Sequence, residues 1–161
     1  MTSKVEIVIK KTERQLFLST IDGIERSYAV ALGKNWAADK AVEGDCATPV
    51  GEFYICAKNP RSKYFLSLCL SYPNAEDARR GLAAGLVSVA EHEQIIDAIR
   101  LGGMPPQYTR LGGEIYIHGH DTVRNADNAK DWTRGCIALE NSAMQEVYDL
   151  VSIGTRVYIV A

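Results

Sequence analysis

The sequence predicts an α+β fold in which β-strands dominate, and three observations lead to this prediction. Apolar and polar side chains alternate near both ends of the chain, as they do in strands with one buried face. The middle of the chain and the region after residue 140 carry helix caps followed by helical apolar spacing. The 161 residues, 47% of them hydrophobic, suffice for a sizeable core, so we expect residues 1–161 to form a single domain.

Seven strands follow from this alternation. Short polar connections such as Asp22-Gly23 join the early strands, which predicts a meandering antiparallel sheet. The longest alternating run, from residue 64 to 72, is typical of a strand with one buried face. In chain order, the predicted strands are Val5–Ile9, Gln15–Ser19, Tyr28–Leu32, Glu52–Cys56, Tyr64–Tyr72, Ile115–Ile117 and Val157–Ile159.

Three short helices are predicted between these strands. The first, at residues 75–84, follows Asn74 as its N-cap. The second follows a capping box formed by Ser88 and Glu91. The third follows Asn141 as its N-cap and turns one apolar face inward. The residues of that face are Met144, Val147, Tyr148 and Val151.

The charged residues exclude one class of partner. Eighteen Lys and Arg nearly balance 20 Asp and Glu, which gives a formal charge of −2 and no electrostatic footprint for nucleic acid or an anionic membrane. We therefore expect no nucleic-acid partner. We also expect no membrane-spanning segment in this chain.

The four cysteines show no Cys-x-x-Cys spacing, which argues against a structural zinc site and a thioredoxin-like motif. A disulfide between Cys46 and Cys56 is conceivable. Cys56 and Cys69 lie in strand-like runs, where a reduced cysteine behaves as a small buried hydrophobe. We favour the reduced state for both.

Cys136 is the candidate nucleophile, and His118, eighteen residues earlier, is its candidate base. A thiol reacts as the thiolate, so it needs an imidazole to take its proton or a positive setting that lowers its pKa. Arg134 adds positive potential, and Gly135 allows a tight turn that presents the sulfur. Gly135 and the backbone amides around Cys136 are candidates for an oxyanion hole.

A zinc site is the alternative for the same residues. If the strand continued to residue 120, His118 and His120 would point to the same side, and Cys136 or Asp121 would complete a ligand set. We favour catalysis because a two-residue His spacing is common by chance and no further ligand pair stands out. No metal and no cofactor are expected.

The ordered motifs resemble the L,D-transpeptidase catalytic domain. The family signature is a His-Gly or His-Ser pair followed by Ser/Thr-x-Gly-Cys, and His118-Gly119 and Thr133–Cys136 are similar to it. Residues 44–53 resemble the family's Gly-Asp-x-x-Thr-Pro-x-Gly-x-Tyr/Phe block, and 59–64 and 70–74 resemble its murein-acting branch. The resemblance spans nearly the whole chain and implies the family's β-sandwich-like fold.

The substrate-binding residues are expected around this pair. Tyr116 and Trp132 are candidates to line a groove for a peptide stem, although each is equally compatible with a place in the core. His120 is interpreted as a polar wall, Arg134 as a partner for a carboxylate, and residues 121–131 as a mobile lid. The predicted substrate-binding set is Tyr116, Gly119, His120, Trp132, Thr133 and Arg134.

Three departures from the family pattern concern substrate recognition. Arg134 stands where His is frequent, Ala138 replaces a common Arg, and Ala47 with Val50 replaces an Arg and a Glu. A missing guanidinium removes a bidentate partner for substrate carboxylates, while the nucleophile and base are untouched.

The resemblance implies two half-reactions on peptidoglycan stem peptides, which serve as donor and acceptor. The thiolate displaces D-alanine from a tetrapeptide stem, and the resulting thioester passes to an amine, to water, to a D-amino acid or to a lipoprotein. Hydrolysis of a lipoprotein–peptidoglycan bond is within reach of the same chemistry. Carbapenem-type β-lactams are the expected inhibitors.

The resemblance also implies a place in the cell envelope or periplasm. Residues 1–10 lack the apolar core and cleavage site of a signal peptide, so we expect a removed leader or another export route. An antibacterial effector would look similar. A peptidoglycan-binding module that has lost the chemistry is the non-enzymatic alternative, and it would bind stems without forming an acyl-enzyme.

Overall fold

One curled sheet of eight strands forms the frame of the computed structural model, which describes residues 5–120 and 131–161. Three short helices accompany it, so the mainly β, α+β fold class is confirmed. The strands are β1 (Val5–Lys10), β2 (Gln15–Thr20), β3 (Glu25–Ala29), β4 (Gly51–Ser62), β5 (Phe65–Leu70), β6 (Tyr116–His118), β7 (Ile137–Ala138) and β8 (Arg156–Val160). The helices are α1 (Ala75–Ala83), α2 (Val89–Arg100) and α3 (Asn141–Leu150).

The strand order is β3-β2-β1-β8-β4-β5-β6-β7. β1, β2 and β3 form the predicted antiparallel meander, but the prediction is wrong for β4, which pairs with β8 and β5. β8 inserts between β1 and β4, parallel to β1, and β6 pairs in parallel with β7. Alternation along a strand reports which face is buried, and it carries no information about which strand lies alongside. The late strands therefore took positions that local patterns do not show.

The third strand also differs from its prediction, because β3 ends at Ala29 and Val30 to Leu32 leave the sheet. These three residues are buried, so their apolar character reflects packing rather than membership of the strand. Isolated bridges join Ala31 to Ala138 and Gly33 to Thr133. The segment after β3 thus lies against the segment that carries Cys136.

The helix caps were predicted with mixed success. Asn74 and Ser88 form capping boxes with Asp77 and Glu91, which confirms the first two N-termini. The predicted cap of α3 is wrong: Glu140 is its N-cap and makes no side-chain cap hydrogen bond. Asn141 instead accepts the His120 backbone N–H through Oδ1 at 2.9 Å.

Two apolar clusters stabilise the fold. The large one fills the space between the sheet and α3, where Met144 and Val147 are buried as predicted. The small one lies under α1 and α2. It consists of Ala78, Val87, Ile95 and Leu111.

The cysteines are unpaired, which agrees with the favoured reduced state. Cys69 is buried, and Cys46, Cys56 and Cys136 are half-buried. In the described parts of the chain, no helix has the length and apolarity needed to cross a membrane.

Candidate active site

Adjacent strands bring His118 and Cys136 to the same face of the sheet. β6 pairs with β7 so that Ile117 lies beside Ile137 and His118 beside Ala138. Both isoleucines are fully buried in the large core. Because side chains alternate along a strand, the neighbours His118 and Cys136 lie on the opposite side.

The Cys136 thiol is held by backbone groups of the 114–116 segment. Its Sγ accepts the Tyr116 N–H at 3.4 Å and donates to the Glu114 carbonyl oxygen at 3.3 Å. Burial raises the pKa of the Cys136 thiol to about 11; the Tyr116 N–H acts in the opposite direction and the Glu114 carboxylate in the same one. The sulfur is therefore a neutral thiol near neutral pH and needs a base for reaction.

His118 is the candidate base, and one contact indicates its tautomer. Its Nδ1 lies 2.6 Å from the Gly119 carbonyl oxygen. A carbonyl only accepts hydrogen bonds, so Nδ1 carries the proton, and Nε2 is the basic nitrogen of the neutral ring. The Tyr64 ring stacks on the imidazole with 4.3 Å between centroids and 19° between planes, which fixes the ring orientation.

An aromatic cluster surrounds the imidazole. The Trp132 ring centroid lies 5.9 Å from that of His118 and 6.1 Å from that of His120, which meets the indole edge-on. The ring centroids of Trp132 and Tyr64 lie 6.3 Å apart. The structure thus brings His120, the predicted polar wall, and Trp132, a predicted groove-lining residue, next to the candidate base.

The turn before Cys136 depends on Gly135. Its φ of +135° is unfavourable for a side chain, and a Cβ there would lie 2.7 Å from the Ala47 oxygen. Thr133 Oγ1 accepts the Gly135 N–H at 3.1 Å and donates to the Cys136 oxygen at 2.7 Å. The Gly135 N–H already has a partner. The candidate donors of the predicted oxyanion hole are therefore the other backbone amides of this turn.

Thr48 has a position that the sequence analysis did not anticipate. Its fully buried hydroxyl accepts the Gly33 N–H at 3.0 Å and donates to the Gly135 oxygen at 2.9 Å. The Thr-Pro block therefore braces the nucleophile turn directly. The motif singled out Thr48, but no local signal in the sequence connects residue 48 with residue 135.

The loop that carries Thr48 is itself fixed by a buried ion pair. Lys40 Nζ lies 2.9 Å from Asp45 Oδ1, and both side chains are mostly buried. Burial raises the pKa of Asp45, but hydrogen bonds from Ala41, Val42, Lys40 and Ala47 outweigh it and leave this pKa below its ordinary value. The carboxylate thus orders the loop in its charged form.

Two contacts hold the ends of the predicted lid. At one end, Asn141 binds the His120 amide, and a Cβ on Gly119 would lie 2.4 Å from the Asn141 Oδ1 atom. At the other end, Asp131 pairs with Arg14 at 2.8 Å and accepts the Leu32 N–H at 3.0 Å. Residues 121–130 of that prediction lie outside the described residues.

The sequence comparison agrees with this geometry. The L,D-transpeptidase catalytic domain model, YkuD, matches residues 4–159. The chain belongs to this family. No curated protein sequence matches the chain significantly.

Solved structures share the fold at low sequence identity. The helical cell shape determining protein Pgp2 from Campylobacter jejuni is 24% identical with a TM-score of 0.66, and the match covers 98% of this chain and 48% of Pgp2. An L,D-transpeptidase from Mycobacterium smegmatis is 15% identical with a TM-score of 0.60, covering 99% and 59%. LdtMt1, solved in complex with imipenem, is 14% identical with a TM-score of 0.56, covering 98% and 59%. This chain spans about half the length of these proteins.

Two further predicted residues of this L,D-transpeptidase domain, Arg134 and Tyr116, lie next to the Cys136 turn. Arg134 is exposed next to Gly135. Tyr116 is half-buried beside Cys136, and burial, followed by the neighbouring Cys69, Glu114 and Cys136, raises the pKa of its hydroxyl to about 12. Its phenol is therefore neutral at physiological pH.

The zinc alternative finds no support in the described geometry. β6 ends at His118, so the strand does not continue to His120. Within residues 5–120 and 131–161, no group of three His, Cys, Asp or Glu side chains is arranged to hold a metal ion. Asp121, one of the ligands considered, lies outside these residues.

Proposed function

We propose that this chain is a cysteine-dependent L,D-transpeptidase that acts on peptidoglycan stem peptides as a single catalytic domain. The observation that carries the proposal is the pairing of β6 with β7, which sets His118 and Cys136 on one face. The tautomer imposed by Gly119 leaves Nε2 as the basic nitrogen. Membership of the L,D-transpeptidase family supplies the reaction class.

Acylation begins with proton transfer from Cys136 to His118. The thiol is largely unionised at neutral pH, so Nε2 takes the proton as sulfur attacks the carbonyl that joins the third stem residue to D-alanine. The imidazolium then protonates the departing D-alanine nitrogen, and the carbon–nitrogen bond breaks. A thioester between Cys136 and the third residue remains.

Charge on the tetrahedral oxygen needs hydrogen-bond donors. The backbone amides of the Cys136 turn are the proposed donors, because buried side chains hold that turn in one geometry. Thr133 and Thr48 supply this rigidity through Gly135 and Cys136. A preorganised turn stabilises the intermediate without reorganisation during the reaction.

Deacylation repeats the chemistry with a second nucleophile. An amine of another stem attacks the thioester carbonyl and gives a proton to His118. The carbon–sulfur bond breaks, the Cys136 thiolate takes the proton back, and a cross-link forms. With water as the nucleophile, the same steps give a carboxypeptidase product. The proposed substrate-binding residues surround His118 and Cys136. They are Tyr116, Gly119, His120, Trp132, Thr133 and Arg134.

Two expectations follow from the family and its relatives. LdtMt1 was solved with imipenem, so acylation of Cys136 by carbapenems is proposed here. A peptidoglycan substrate places the working enzyme in the cell envelope or periplasm. The exposed guanidinium of Arg134 is the proposed partner for a stem carboxylate.

The test is intact-protein mass after incubation with a disaccharide-tetrapeptide, combined with product analysis. The proposal expects an adduct equal to the stem minus D-alanine on the wild-type chain and none on Cys136→Ala. The products then separate cross-linking from carboxypeptidase action. Folded wild-type protein that binds the stem but gives neither adduct nor D-alanine would be a binding module instead.

A further inference from the structure

Glu114 occupies a costly position next to the nucleophile. Its φ is +55°, a left-handed conformation that is unfavourable for a non-glycine residue. Gln107 maintains it: Oε1 accepts the Glu114 N–H at 2.7 Å, while Nε2 donates to the Tyr72 and Pro105 oxygens, both at 2.9 Å. A strained conformation held by neighbouring residues is characteristic of functional sites.

In this backbone conformation, the carbonyl group of Glu114 faces Cys136 and its side chain faces solvent. The carbonyl oxygen accepts the Cys136 thiol at 3.3 Å, so the residue lies directly at the nucleophile. The side chain is exposed, and its Oε1 lies 3.4 Å from the hydroxyl of Tyr108, which is itself 86% exposed. The carboxylate therefore lies in solvent, at the exposed rim of the site around Cys136.

The Glu114 carboxylate does not help the Cys136 thiol to ionise. Its negative charge raises the pKa of Cys136, which opposes thiolate formation. Within the described chain, no Lys or Arg lies at ion-pair distance from it. The Glu114 carboxylate thus opposes ionisation of the thiol and lacks a cationic partner. A cationic group of the substrate that pairs with it during the reaction would explain its presence at this position.

We propose that Glu114 is a specificity residue that binds the primary ammonium group of a diamino acid in the stem peptide, with Tyr108 beside it at the rim. This inference rests on the proposed transpeptidase function. The ammonium belongs either to the side chain of the donor's third residue, whose carbonyl is attacked, or to the acceptor stem before it loses its proton. Arg134 is exposed and lies two residues before Cys136, and its guanidinium is suited to a carboxylate of the same zwitterion.

The test compares the wild type with Glu114→Gln and with Glu93→Gln, which removes an equally exposed charge on α2. Donor tetrapeptides carry either the free ammonium or its N-acetyl derivative, and D-alanine release reports acylation. A preformed acyl-enzyme is then offered an amine-bearing stem, and the ratio of cross-link to hydrolysis reports acceptor binding. Alkylation of Cys136 by iodoacetamide, followed by peptide mass, reports the nucleophile alone.

Glu114→Gln is expected to lose about tenfold in one of the two reactions, because a charged hydrogen bond is removed. If the donor supplies the ammonium, acylation falls for the free donor and not for the acetylated one. If the acceptor supplies it, only the cross-link ratio falls. In both cases alkylation of Cys136 becomes faster, since the opposing charge is gone, and Glu93→Gln behaves as the wild type.

Three results would overturn the inference. Equal rates for Glu114→Gln and wild type in both reactions would show that the carboxylate binds nothing. Slower alkylation, together with equal losses for both donors, would show a purely structural role. A wild-type enzyme that releases no D-alanine would remove the proposed function itself, which the other two results leave intact.

Discussion

The nucleophile turn and the helical flank are held together by different kinds of contact. Around Cys136, hydrogen bonds join residues far apart in the chain, such as Thr48 with Gly135 and Arg14 with Asp131, separated by 87 and 117 positions. In α1 and α2, the capping boxes span three residues, and ion pairs join residues i and i+3. The Cys136 turn is therefore held by contacts across the whole fold, whereas the capping boxes and these ion pairs of α1 and α2 are local.

Among the substitutions that test this contrast, loss of the Thr48 hydroxyl should have the largest effect on stability and acylation. Thr48→Val keeps the shape but leaves the buried Gly33 N–H and Gly135 oxygen without that partner. We expect a loss of about 2–4 kcal/mol of folding free energy and a slower acylation of Cys136. Denaturant unfolding and adduct formation measure the two effects.

Thr48→Ser is the matched control, because it retains the hydroxyl. It should stay close to the wild type in acylation rate. Equal losses in the Ser and Val variants would mean that the methyl group, and not the hydrogen bonds, positions the turn.

Asp77 should produce an intermediate effect in the flank. Burial raises its pKa to about 6, against the lowering effects of the Asn74 N–H and Arg80. The folded state thus binds the proton more tightly than the unfolded chain, whose Asp pKa is about 3.9. The associated stability is present below about pH 4 and is lost as the pH rises through about 6.

Asp77→Asn should remove that dependence, which amounts to roughly 2 kcal/mol between pH 4 and 7. Urea unfolding of both proteins at several pH values measures the difference in free energy. Parallel stability curves for the wild type and Asp77→Asn would show that Asp77 titrates normally.

The Ser88 cap should give the smallest effect. Ser88→Ala removes the acceptor for the Glu91 N–H at 3.1 Å and is expected to cost about 1 kcal/mol. Acylation of Cys136 should be unchanged, because α2 is organised by its own local contacts. A variant that keeps its stability but loses activity would contradict the separation of the two regions.

The same contrast explains what the sequence could predict. The Asn74 and Ser88 caps could be predicted because a helix cap is a local signal. His118 and Cys136 could be singled out as candidates because their motifs occur in a fixed order along the chain. The continuation of the meander from β3 to β4 and the Asn141 cap were predicted wrongly. Strand partners, and the hydrogen bond from the His120 amide to Asn141, are set by tertiary structure. The bracing role of Thr48 and the strained Glu114 could not be predicted for the same reason.

The measurement that tests the nucleophile and base together is the rate of acyl-enzyme formation against pH, in wild type and His118→Ala. With the Cys136 pKa at about 11, roughly one thiol in ten thousand is ionised at pH 7, so acylation there depends on the imidazole. The account predicts efficient wild-type acylation near neutral pH, and a His118→Ala rate that becomes appreciable only as the pH approaches the thiol pKa. Superimposable profiles for the two proteins would contradict it.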